Sequence, residues 1–298
     1  MKTLLNLTRR NIKLFFRDKG MFFTSLITPA ILLVLYATFL GKVYEDSFLL
    51  GLPEGITIDP TVLKSCVGGQ LISSILAVSC VTVAFCSNML MVQDRANGTV
   101  RDLTVSPVKP STFALGYYLA TLVSTLLICL AATALCLGYI ASVGWYMSVA
   151  DVLYLLLDVF LLVMFGTALS SVINFFLSTQ GQISAVGSII SSMYGFVCGA
   201  YMPLSQLGDG LRTAVSFLPG TYGTSLLRNH AMRGVFAEME GSGIPAEVVE
   251  NMRDAIDCNL YFFDAKVAVS DMYIVMGTTV AVLVAVYVLL HLFVKKRK

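Results

Sequence analysis

The sequence predicts an all-α polytopic membrane protein with six transmembrane helices. Three observations carry that prediction. Hydrophobic residues make up 57% of the 298 residues and charged residues only 13%, where a soluble domain has about 45–50% and about 25%. Mean hydropathy is +0.81. Six segments reach the roughly 20 mostly apolar residues that a spanning helix needs: about 22–40, 65–92, 113–140, 152–177, 183–202 and 272–294. These runs are continuously apolar, not alternating, which selects helices over a barrel. The composition excludes a soluble enzyme, a disordered chain and a DNA-binding domain. A net charge of +2 gives no bulk attraction to nucleic acid. Residues 1–298 read as a single transmembrane domain.

Lys and Arg set the expected orientation. Thirteen lie before the first run, between the second and third, and after the sixth; seven lie on the opposite side, most of them in one long segment, 203–271. Both termini are therefore expected in the cytoplasm, with the protein multi-pass in the cell membrane. The first apolar run is full length, so no cleavable signal peptide is expected. Segment 4–16 carries Leu4, Leu5, Ile12, Phe15 and Phe16 beside Arg9, Arg10, Lys13 and Arg17. It reads either as an interfacial amphipathic helix on the inner leaflet or as a plain positive anchor for the first span.

The outer segment 203–271 begins apolar and is broken at Pro219-Gly220. Two short helices around that break, dipping into the membrane as a re-entrant hairpin, explain the pattern; backbone at that depth must be buried in protein. Residues 241–257 read as a soluble acidic helix started at Pro245.

Several chemistries lack their residues. GxxxxGK[ST], whose backbone amides wrap phosphates, is missing, so the chain has no such ATP site of its own. HExxH is missing too. His230 and His291 are the only histidines, and both read as structural or interfacial. The seven cysteines show no CxxC or metal-ligand spacing and read as small buried hydrophobes. No metal site and no catalytic residue is expected. Asp158 is the one acid clearly inside a run. It reads as a site for a cationic group, as a polar link to a neighbouring helix, or as a residue reached by interfacial water. The fifth run is rich in small residues, among them Gly187, Ser188, Ser192, Gly195 and Gly199. Small residues let helices approach closely, either as static packing or as a dimer seam and gate.

The loop after the second run is the most informative stretch. It contains Asp94, Arg95, Gly98, Thr99, Val100, Leu103, Val105 and Pro107. Gly98 separates the span from the residues after it. Thr99 is an N-cap for a short helix over 100–105. Val100, Leu103 and Val105 then project as apolar knobs toward a partner groove, or toward lipid headgroups.

Arg-x-x-Gly-Thr-x-x-x-Leu-x-Val-x-Pro over 95–107 resembles the membrane subunits of type-2 ABC exporters, the daunorubicin-exporter-like class. Phe-Leu-Ser-Thr-Gln-Gly-Gln over 176–182 agrees, as do Tyr201-Met202-Pro203, Leu218-Pro219-Gly220-Thr221-Tyr222 and Arg228. Ala96 stands where the family usually has Glu, and Leu218 where it often has Asn. The resemblance implies that 94–107 forms the coupling helix on a cytoplasmic P-loop ATPase dimer. It implies that Pro203, Pro219, Gly220, Tyr222 and Arg228 belong to an outer re-entrant hairpin. It also implies a second permease copy or paralogue, with ATP and Mg held by the partner ATPase and no cofactor in this chain. The expected function is export of an amphipathic, drug-, peptide- or lipid-like substrate. The rival reading is a stand-alone secondary transporter or channel using Asp158.

Overall fold

The computed structural model describes residues 2–50, 58–100, 108–263 and 265–295. Five helices among them are long and apolar enough to cross a membrane. The chain begins with α1 (Lys2–Arg17) and continues in α2 (Lys19–Leu35). Asp18 caps α2 by accepting the Met21 amide at 3.1 Å. A π-turn over Tyr36–Leu40 joins α2 to α3 (Gly41–Leu50), so helix runs on past the expected end of the first span. The turn needs glycine at its end. The Gly41 amide reaches back to the Tyr36 carbonyl, and a Cβ there would lie 2.7 Å from that oxygen.

Next come α4 (Pro60–Ala96), α5 (Pro110–Val143) and α6 (Val149–Phe175), each a few residues longer than its apolar run at one or both ends. Polar starts explain the extra turns. Pro60 and Pro110 sit in the first turns of their helices, where the missing N–H is harmless. Ser148 and Asp151 close a capping box on α6.

α7 (Gln180–Val197) occupies the expected fifth run but is only 18 residues long. Its Gln, Ser and Gly content keeps it outside the five long apolar helices. Then come α8 (Asp209–Ser216), α9 (Pro219–Gly241) and α10 (Ala246–Ala255). The expected break before Pro219 is present, but α9 is a 23-residue helix, not a short one. Pro245 directly precedes α10. A small antiparallel hairpin, β1 (Leu260–Phe262) with β2 (Ala265–Val267), pairs Tyr261 with Lys266. Three-residue strands are too short to leave an alternating pattern, so the sequence does not announce them. The chain ends in α11 (Val269–Lys295).

α4 is the axis of the bundle. It packs against α2, α5, α6, α7 and α9, and 89% of its most apolar window is buried. Small residues make that possible. A Cβ on Gly166 of α6 would lie 2.7 Å from the Cys80 carbonyl oxygen of α4. A Cβ on Gly69 would meet Met232 of α9 at 2.7 Å. Polar side chains on this buried helix turn back on their own backbone: Ser79 donates to the Ile75 carbonyl at 2.6 Å and Thr82 to that of Val78 at 2.9 Å. The outer helices do the opposite. α2 leaves Phe23, Ile27 and Ile31 exposed, and α11 leaves Ile274 and Val282 exposed. An apolar surface of that extent suits lipid or a partner subunit.

Candidate functional site

α1, the last turn of α4, the start of α5, the end of α6 and the last turns of α11 meet at one end of the bundle, here the near end. The last turn of α4 lies there. Asp94 and Arg95 were expected in a loop, but α4 continues through Ala96 because both side chains are tied down. Asp94 Oδ2 accepts Arg10 Nη1 of α1 at 2.8 Å and the Tyr117 hydroxyl of α5 at 2.6 Å. The Asp94 carboxylate holds the Arg10 guanidinium above its usual range. Arg95 turns the other way. Its Nη1 donates to the carbonyls of Phe175 at 2.9 Å and Leu177 at 2.6 Å. Phe175 ends α6 and Leu177 lies two residues past it; carbonyls at a helix C-terminus lack intrahelical partners and carry the negative end of the helix dipole. Adjacent residues thus join α4 to α1 and α5 on one side and to α6 on the other.

Beyond them the helix stops. Asn97 caps it, and Gly98 takes φ +79, the left-handed conformation that favours glycine just past a helix end. Helix resumes at Thr99 and Val100, so Thr99 is itself helical and not an N-cap. Leu103, Val105 and Pro107 lie outside the described residues.

Asp158 lies deep in α6 and is 1% exposed. His230 Nδ1 of α9 is 2.6 Å from its Oδ2, and the Tyr273 hydroxyl of α11 donates to Oδ1 at 2.6 Å. Tyr154 stacks on the His230 ring at 5.0 Å. Next to this trio, Arg233 pairs with Asp151 at 2.6 Å. Asp158 is therefore a link between three helices, not a residue reached by interfacial water. His230 is buried inside the bundle, not placed in an outer loop, because α9 is long enough to carry it there. Sequence signal for the pair existed in the polarity of both residues, but not in their 72-residue separation.

At the far end, Arg228 of α9 is the largest fully buried side chain among the described residues. Its Nη1 meets Asp257 Oδ2 at 3.2 Å and its Nη2 donates to the Gly199 carbonyl. Asp257 also accepts the Leu204 amide at 2.7 Å and takes φ +58. Pro203 precedes that contact, and Pro219 and Gly220 open α9. The Tyr222 hydroxyl donates to the Ser216 carbonyl at 2.7 Å, fixing the bend between α8 and α9.

The small residues of α7 divide. Gly187 faces Met89 of α4, whose Cε would lie 2.6 Å from an added Cβ. Ser188 and Ser192 are exposed. Gly195 and Gly199 do not form a helix-packing pair. α7 ends at Val197, the Tyr201 ring covers Gly195, and Gly199 takes φ +74 at the helix end.

The family model for ABC-2 type transporters matches residues 3–231. The chain belongs to that family. It is a permease subunit of an ABC transporter, a multi-pass membrane component without its own ATP site. Family membership implies an ABC ATPase as its partner. The matched span runs from α1 into α9 and contains the near-end ties and Asp158. No curated protein matches this permease.

Proposed function

We propose that this permease belongs to an ATP-driven exporter of the daunorubicin-exporter-like class. It moves an amphipathic, drug-, peptide- or lipid-like substrate out of the cytoplasm or inner leaflet. ATP and Mg bind to a separate cytoplasmic P-loop ATPase dimer. A second copy or paralogue of the permease completes the pathway, with α7 as the fifth of six spans and the α7 face bearing Ser188 and Ser192 at the seam. Both termini are cytoplasmic, in the cell membrane. The α8–α9 bend is the outer re-entrant hairpin.

One observation carries this reading: neighbouring residues Asp94 and Arg95 tie the stem of the 94–107 loop to α1, α5 and α6. Closure of the ATPases pushes the loop. The push reaches four helices together because the stem is clamped on both sides, which is how a local contact becomes a rigid-body motion. The substrate path then opens between facing spans of the two permeases.

The test is uncoupling. Asp94→Asn with Arg95→Gln is to be compared with the unmodified permease in inverted vesicles. The readouts are ATP hydrolysis and transport of a fluorescent amphipathic dye. The expected result is retained hydrolysis with transport per ATP reduced several-fold. Unchanged transport per ATP overturns the reading.

A further inference from the structure

A cavity of about 320 Å³ lies at the far end of the bundle, where the α8–α9 bend, α10 and β1 come together. That volume falls at the small end of the range for ligand pockets, about 300–1,000 Å³. α8 contributes Arg212 to the lining, and α10 contributes Asp254 and Ala255. Leu204 and Leu260 add apolar surface. Arg212 is exposed, so solvent reaches the cavity.

The charges of this cavity are unevenly satisfied. Asp257, which also lines it, is already paired with Arg228. Asp254 forms no ion pair among the described residues. Its carboxylate accepts Asn259 Nδ2 at 2.6 Å and the Tyr261 hydroxyl at 3.2 Å. Asn259 is itself anchored on Glu250 at 3.1 Å. A carboxylate has about four lone-pair sites, so these two neutral donors fix Asp254 in place and leave it charged, with acceptor capacity to spare. An acceptor held this way is preorganised for a ligand. Arg212 has neither an ion pair nor a hydrogen bond among the described residues. Opposite charges attract, yet these two share one cavity from separate helices without meeting.

We infer that the cavity is a site for a compact zwitterion with a small apolar body, a neutral amino acid, whose ammonium meets Asp254 and whose carboxylate meets Arg212. Charge selects the class. A ligand with a single charge leaves either Asp254 or Arg212 unanswered, whereas a zwitterion makes a charge-assisted hydrogen bond with each. The apolar lining of Leu204, Ala255 and Leu260 selects an aliphatic side chain over a polar one. The volume selects one residue over a longer peptide. Bound in this way, the ligand ties the α8–α9 bend to α10. The inference goes beyond the exporter reading and does not depend on it.

The test uses the full-length permease in lipid nanodiscs and three probes of one skeleton: leucine, isoamylamine, which lacks its carboxylate, and isocaproate, which lacks its ammonium. Binding is measured by calorimetry against empty discs. Saturable binding of leucine is expected, with each of the other two weaker by about tenfold or more, the equivalent of one lost charge-assisted hydrogen bond. Arg212→Gln and Asp254→Asn should each weaken leucine binding to a similar extent. Lys64→Gln removes an exposed cation of α4 that does not line the cavity and should change nothing. Arg212 is exposed, so the fold survives its replacement, and an unchanged unfolding temperature without ligand verifies that. Equal binding of all three probes, no saturable leucine binding, or leucine binding untouched by both cavity substitutions overturns the inference.

Discussion

Arg10 and Asp94 are 84 residues apart in the chain, yet Nη1 of the first lies 2.8 Å from Oδ2 of the second. The bond joins the amphipathic α1 to the end of the buried axis helix. α1 also packs on α5, where an added Cβ on Gly116 would meet Leu7 at 3.2 Å. The first helix is therefore tied to the end of α4 and to α5, not only to the start of α2.

That pair makes a measurable prediction. Arg10 is about one-third exposed and Asp94 is mostly buried, so solvent screens part of the attraction. A double-mutant cycle with Arg10→Met and Asp94→Asn should give a coupling of about 1 kcal/mol in thermal unfolding. Tyr117→Phe should lower the coupling further. Additive single effects would show that the contact transmits nothing.

The Asp158–His230–Tyr273 trio should behave as a buried, hydrogen-bonded link. His230→Ala leaves a buried carboxyl short of a partner and should destabilise by about 3–5 kcal/mol. Replacing both partners by apolar residues, Asp158→Leu with His230→Phe, should recover most of that loss. If the double replacement keeps stability and also keeps ATP-driven transport, Asp158 is a structural link. A transporter that routes ions or substrate through Asp158 would lose all transport in the same protein.

Close backbone approach between α4 and α6 gives a third prediction. Gly166→Ala places a methyl group 2.7 Å from the Cys80 carbonyl and 3.0 Å from Val81 Cα. Backbone atoms cannot swing aside as a side chain can. The substitution should cost about 1–3 kcal/mol, seen as a lower unfolding temperature in detergent. Gly138→Ala, with nothing within 4 Å of the new Cβ, should be neutral or slightly stabilising.

The segment of α10 and the β1–β2 hairpin has its own pH and thiol signatures. The Lys266 ammonium holds the Glu250 carboxyl below its usual range. A depressed carboxylate contributes stability above its unfolded pKa of about 4.3, and loses it as pH falls through its lower folded value. Lys266→Met should therefore destabilise at about pH 6, by less than about 1 kcal/mol because the pair is exposed. The difference should vanish at the most acidic pH the protein survives. Cys258, in the same unit, is buried, and burial pushes its thiol up to about 12. Since the thiolate is the reacting form, maleimide should label it only after unfolding.

Most of the fold was legible in the apolar runs because membrane crossing demands length and hydrophobicity together. Runs at 65–92, 113–140, 152–177 and 272–294 became α4, α5, α6 and α11 with added polar turns. α7 was the exception: its serines and glycines look like a span by position and fall short by hydropathy. In the site, Gly98 and Pro219 were legible because glycine and proline act locally on their own backbone. The partners were not. Nothing near Asp94 names Arg10, and nothing near Asp158 names His230, since long-range pairing is decided by which helices pack together. Gly195 and Gly199 misled for a related reason: a GxxxG spacing serves a helix end as readily as a helix interface.

On the proposed mechanism, the 94–107 loop delivers the work of an ATPase to the clamped end of α4. Purification in mild detergent, with bound chains identified and ATP hydrolysis assayed, tests it most directly. A stoichiometric P-loop ATPase should co-purify with the permease and be lost on Leu103→Asp. A permease that purifies without any ATPase and still transports in liposomes under an ion gradient alone would contradict it.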